Sequence, residues 1–102
     1  MGDEENRSLL DATISVPKHI VHRAFAGEMV VLDLRSGRYH GLNPTGGRIF
    51  ELLAKEATVR DVVDKLAQEY ERPTEEIEQH VSDFCRALLK QGLVETNGYF
   101  LD

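Results

Sequence analysis

Apolar residues in this chain change their spacing at Asn43-Pro44. Ahead of that point they sit in β-branched runs, ending in Met29-Val30-Val31-Leu32. Beyond it they recur at intervals of three and four: Ile49, Phe50, Leu52 and Leu53, then Val59, Val62, Val63, Leu66 and Tyr70, then Ile77, Val81, Phe84, Leu88 and Leu89. The first pattern belongs to strands and the second to helices, each hiding one face. A chain of 102 residues holds one core. The expectation is therefore an α+β domain, a small sheet followed by helices.

The punctuation supports that order. Residues 1–13 are polar and acidic and read as a mobile arm, with Leu9-Leu10 a pair able to pack onto a domain spanning 14–102. Pro17 interrupts the run Ile14–Phe25 and limits it to an edge strand or two short pieces. A turn at Gly27-Glu28 leads into the strand Met29–Leu34, and Arg35-Ser36-Gly37 folds it back onto Arg38–Leu42. Asn43 is a good cap and Pro44 a good first helical residue, although Gly46-Gly47 in the first turn calls for close packing or a late start. Thr58 with Asp61 makes a capping box, Pro73-Thr74 opens a third helix, and Gly92 stops it after Lys90. The tail, Leu93–Thr96 and Tyr99–Leu101 around Asn97-Gly98, reads as a hairpin. Three antiparallel strands, three helices and a short C-terminal hairpin make a winged helix-turn-helix-like order.

Charge argues against the partner that such an order suggests. Acidic residues outnumber basic ones 18 to 12, for a net charge of −6. The third helix, Thr74–Gln91, carries Glu75, Glu76, Glu78 and Asp83 against Arg86 and Lys90. A recognition helix entering the major groove is normally basic, because cations replace the counterions of phosphate. The single Cys85 forms no internal disulfide, which points to a reducing cytoplasm. There is no apolar run of membrane-spanning length and no basic signal-like start.

Chemistry is sparsely provided for. His19 and His22 are three apart in a strand-like segment and leave opposite faces, and His40 and His80 stand apart in sequence. No HExxH or CxxC spacing is present, so neither a metal nor another cofactor is expected. Cys85 lies beside the apolar stripe of its helix and reads as a small buried hydrophobe. Asn43–Arg48 places two glycines at a helix start, where N–H groups attract anions, but lacks the Gly-Lys-Ser/Thr of a phosphate loop. The chain reads as a non-enzyme.

Arg38–Leu42 is different. It is short, lies where strands give way to helices, and has only Arg38 as a guard against edge pairing. It serves either as a docking edge for an extended peptide or as an edge covered by the arm or the third helix.

The segment from Val30 to Leu53, with its Gly37 turn, Leu42-Asn43-Pro44 and Ile49-Phe50-Glu51-Leu52-Leu53, resembles the PqqD-like family of precursor-peptide recognition elements. It looks most like the stand-alone leader-binding proteins of lasso-peptide pathways, and Val81–Cys85, Leu88-Leu89 and Gly92-Leu93-Val94 fit the same pattern. The resemblance covers about Ile14–Glu95 and implies a winged-helix-like fold without DNA binding. It further implies that a leader peptide adds as a strand to Arg38, Tyr39, His40, Gly41 and Leu42, against a wall drawn from His80, Asp83, Phe84, Ala87 and Leu88. Phe84 and Leu88 also read as core, and core is the better reading for Leu88. The implied partners are a precursor leader and the modifying enzyme or leader peptidase that receives it, with the protein a monomer or weak homodimer. The alternatives are a peptide chaperone of pyrroloquinoline quinone synthesis, a DNA-binding winged helix, and a self-associating structural subunit.

Overall fold

The computed structural model describes residues 9–55 and 58–97. Strands β1 (Thr13–Ser15), β2 (Ile20–Phe25), β3 (Glu28–Asp33) and β4 (Tyr39–Leu42) precede helices α1 (Pro44–Lys55), α2 (Val59–Tyr70) and α3 (Thr74–Gln91), and β5 (Glu95–Asn97) closes the order. The fold is α+β. The winged-helix likeness is a loose description of it.

Pro17 divides the first apolar run into the two pieces β1 and β2, and only β2 joins the main sheet, in the order β2-β3-β4. The β2–β3 turn falls at Ala26-Gly27, one residue earlier than expected, both with positive φ (52° and 82°). That is the conformation of the tight hairpin turns whose twist matches the strands they join. At the next turn the Asp33 carboxylate accepts the N–H groups of Arg35 (2.8 Å) and Ser36 (3.3 Å), and Gly37 takes φ 75°. The bond from Arg35 holds the Asp33 carboxyl below its ordinary range.

Of the expected C-terminal hairpin, the first arm forms β5, which pairs antiparallel with β1 through Thr13↔Asn97, Ile14↔Thr96 and Ser15↔Glu95. The second arm, Tyr99–Leu101, lies outside the described residues.

The helices start and stop where their caps dictate. Thr58 and Asp61 exchange both capping-box hydrogen bonds at 3.2 Å. Gly92 adopts φ 74° and returns its N–H to the carbonyls of Leu88 and Leu89. Gly46-Gly47 are explained by close packing and not by a late start, since α1 begins at Pro44. A β-carbon on Gly47 would stand 3.0 Å from that of Met29. Arg48 ties α1 to α2 by pairing with both Glu51 and Glu69.

The core gathers Met29 and Val31 from β3, Phe50 and Leu53 from α1, Val59, Val62 and Leu66 from α2, and Val81, Cys85 and Leu88 from α3. It also takes in Leu9, Leu10 and Ala12. Leu9, Leu10 and Ala12, within the segment read as an arm, are thus part of the described core, and the Leu9-Leu10 pair packs onto it. Apolar area removed from water holds it there, assisted by the Ala12 carbonyl accepting the Val59 N–H at the start of α2 and by an Asp11–Arg60 ion pair.

Candidate functional site

β4 is an edge strand: β3 covers one side of it and no described strand covers the other. Its register on β3 is Met29↔Leu42, Val30↔Gly41, Val31↔His40 and Leu32↔Tyr39. Just beyond the strand, the Asp33 N–H donates to the Arg38 carbonyl at 2.9 Å. In an antiparallel ladder that bond fixes the phase. Arg38, His40 and Leu42 turn their backbone groups to β3, so Tyr39 and Gly41 turn theirs outward. The open edge therefore offers two N–H and two C=O groups.

Side chains alternate oppositely. His40 and Leu42 are half-buried on the helix-facing side with Met29 and Val31, whereas Tyr39 is 75% exposed on the other face. A β-carbon on Gly41 would meet nothing within 4 Å. The free protein does not need glycine at that position.

α3 runs antiparallel to β4 and walls the space beside it. At one end Lys90 and Gln91 line a cleft of about 530 Å³ with Arg38, His40, Asp33 and Ser36. In the middle the half-buried Phe84 ring covers Gly46. At the other end His80 lines an apolar cavity of about 360 Å³ with Thr45, Ile49, Tyr70, Ile77 and Val81. His80, Phe84, Ala87 and Gln91 are spaced four, three and four apart, one stripe along the helix.

Of the residues named from sequence, the geometry brings Arg38 and His40 together, beside Lys90 and Gln91; His80 lines the cavity with Thr45 and Ile49, Phe84 lies against Gly46, and Ala87 is exposed on α3. Leu88 is core. Asp83 is exposed and engaged by neighbours on its own helix, Gln79 at 3.0 Å and Arg86 at 3.6 Å. Lys90 and Gln91 were missed because Lys90 carried a local explanation, the helix dipole. Their nearness to His40 depends on how the helix is laid across the sheet.

The other sequence candidates have structural partners. The Asn43 side chain accepts the Gly46 N–H at 2.7 Å, and Phe84 covers that first turn, so the Gly-Gly helix start is filled from within the protein. His22 meets Phe50 edge-on, with ring centroids 5.1 Å apart. Burial pushes the Cys85 thiol up to about 12, away from nucleophilic use. Among the described residues no group of three His, Cys, Asp or Glu side chains is placed to hold a metal, and no helix is long and apolar enough to cross a membrane.

A family model described as Coenzyme PQQ synthesis protein D (PqqD) matches residues 28–94, from the start of β3 to the end of the core. The chain belongs to the PqqD family. Two solved structures are similar to this PqqD-family chain. One is described as TbiB1 in complex with the TbiA(beta) leader peptide; it is 32% identical, covers 85% of this chain and 99% of its own, and has a TM-score of 0.75. The other is a lasso peptide synthetase B1 complexed with the leader peptide, 28% identical, covering 81% and 98%, with a TM-score of 0.73. No curated protein matches the chain.

Proposed function

We propose that this chain binds the leader segment of a precursor peptide as a strand added to β4 and delivers it to a modifying enzyme or leader peptidase in the cytoplasm. The observation that carries this reading is the pair of residues, Tyr39 and Gly41, whose backbone groups face an open groove walled by α3. Both similar structures hold a leader peptide, which supports it.

Strand addition supplies register more than affinity. Main-chain hydrogen bonds contribute about 0.5–1.5 kcal/mol each, while ordering a flexible leader costs about 2–5 kcal/mol. Apolar leader side chains against Leu42, Phe84 and Ala87 provide the surplus. Arg38 and Lys90 add rim attractions of roughly 0.2–1 kcal/mol each to an acidic leader residue. The domain performs no chemistry: holding the leader raises the effective concentration of the attached substrate beside its enzyme.

The test is titration of a labelled cognate leader against wild type, Gly41→Pro and Gly41→Ala. Proline at 41 removes an outward N–H and leaves the β3–β4 ladder intact; alanine keeps that N–H and has room. The leader binds wild type and Gly41→Ala, and Gly41→Pro weakens it at least tenfold. Equal binding to all three forms sinks strand addition at this edge.

The family description favours a second pathway, pyrroloquinoline quinone synthesis. The two leader complexes favour lasso-peptide assembly. Titration with a leader from each pathway separates them.

A further inference from the structure

The helix-facing side of β4 changes character along its length. Side chains at every second position share a face, so Arg38, just ahead of the strand, stands in line with His40 and Leu42. Arg38 and His40 open onto the cleft of about 530 Å³ that Lys90, Gln91, Asp33 and Ser36 complete. Leu42 instead packs against the core, and Thr45 shortly after it lines the apolar cavity with Ile49, Ile77 and Val81. One end of the row is polar and cationic. The other is apolar.

The cations at the polar end are unpaired. Arg38 and Lys90 make no ion pair among the described residues, in a chain whose net charge is −6. Asp33, the carboxylate lining the cleft, accepts the N–H groups of Arg35 and Ser36 and pairs with neither Arg38 nor Lys90. Two like charges lining one cleft repel each other, and a carboxylate placed between them relieves that repulsion.

We propose that this cleft selects leaders by a carboxylate at a fixed place: an Asp or Glu four residues C-terminal to an apolar residue. The proposal rests on the leader-binding reading and adds to it which side chains are read, and in which direction.

The spacing follows from the register. An antiparallel fourth strand continues the alternation of β2, β3 and β4, and antiparallel pairs are slightly more stable than parallel ones. The outward backbone groups of Tyr39 and Gly41 bond the added strand. Arg38, His40 and Leu42 therefore face it as non-hydrogen-bonded pairs, the kind with the closest side chains. Running antiparallel, the leader meets Leu42 first, His40 two residues later and Arg38 two after that. An apolar residue suits the Leu42 position, and a carboxylate opposite Arg38 enters the cleft where Arg38 and Lys90 donate to it. The residues between alternate onto the outer face of the sheet, away from the cleft. The same leader laid parallel would set its carboxylate against Leu42 and its apolar residue against Arg38.

The experiment uses the full chain and its cognate leader as a synthetic peptide. Alanine scanning first locates the apolar leader residues that carry affinity. In a leader with every Asp and Glu neutralised to Asn and Gln, a single Glu is then placed in turn at each position following such a residue. Binding is measured to wild type, Arg38→Gln and Lys90→Gln; both side chains are exposed, so the fold does not depend on them. Wild type should bind the peptide with Glu at the fourth position about fivefold more tightly than the neutral peptide, the sum of two rim attractions. That gain should vanish at high salt and shrink in each variant, with little gain for Glu at the third or fifth position. A gain that is absent, that is the same at every position, or that survives both substitutions overturns the proposal. Failure of wild type to bind its cognate leader, or binding untouched by Gly41→Pro, overturns the leader-binding reading and this proposal with it, and is seen before any charge is moved.

Discussion

A β-carbon placed on Gly46 would stand 3.3 Å from Cε1 and Cζ of Phe84. That spacing ties the first turn of α1 to the middle of the groove wall. Gly46→Ala gains about 1 kcal/mol of helix propensity and pushes the ring toward the space beside β4. Stability should change by less than about 1 kcal/mol, because the propensity gain offsets the tighter contact. Leader affinity should fall several-fold. Combining it with Phe84→Leu should give a non-additive result in a leader-binding double-mutant cycle; additivity would place the ring outside the binding surface.

Leu9 is fully buried. Leu9→Ala should destabilise the protein by about 2–4 kcal/mol, the range for emptying a buried leucine site, as read by urea denaturation. An unattached arm would give a change near zero.

The buried Cys85 thiol has its pKa raised from 9.0 to about 12. Burial favours the neutral form, so the unfolded chain releases this proton first as pH rises. The thiol's contribution to stability is fully present below about pH 9 and is lost between pH 9 and 12, at up to about 1.4 kcal/mol per pH unit. Denaturation curves of wild type and Cys85→Ala should converge or cross as pH rises through that window. A constant difference between them would contradict the shift.

The sequence was legible where structure is local. Asn43, Thr58 with Asp61, and Gly92 cap the helices as their types predict, and the Gly37 turn sets the β3–β4 hairpin. The sheet edge was legible for the same reason, since β4 is joined to β3 by a short local connection with turn chemistry at Arg35-Ser36-Gly37. Long-range placement was not. Nothing in Glu95-Thr96-Asn97 indicates that its partner is Thr13–Ser15, and although Leu9-Leu10 was legible as a pair able to pack, the residue types did not show what it packs against. The division of β4 between open edge, groove and outer face was hidden too. It follows from the Asp33–Arg38 bond, which the residue types do not fix.

The antiparallel run of α3 beside β4 also sets a length scale. Four strand residues span roughly 13 Å, and the stripe from His80 to Gln91 spans roughly 16 Å. A leader crossing that distance uses about five residues, of which two or three turn inward. Under the proposed leader binding, recognition is confined to a short phrase, and everything beyond it is tether. Doubling a flexible tether costs only about 0.6 kcal/mol of closure entropy. A grip this compact tolerates precursors whose recognition phrase and modification site lie at quite different separations.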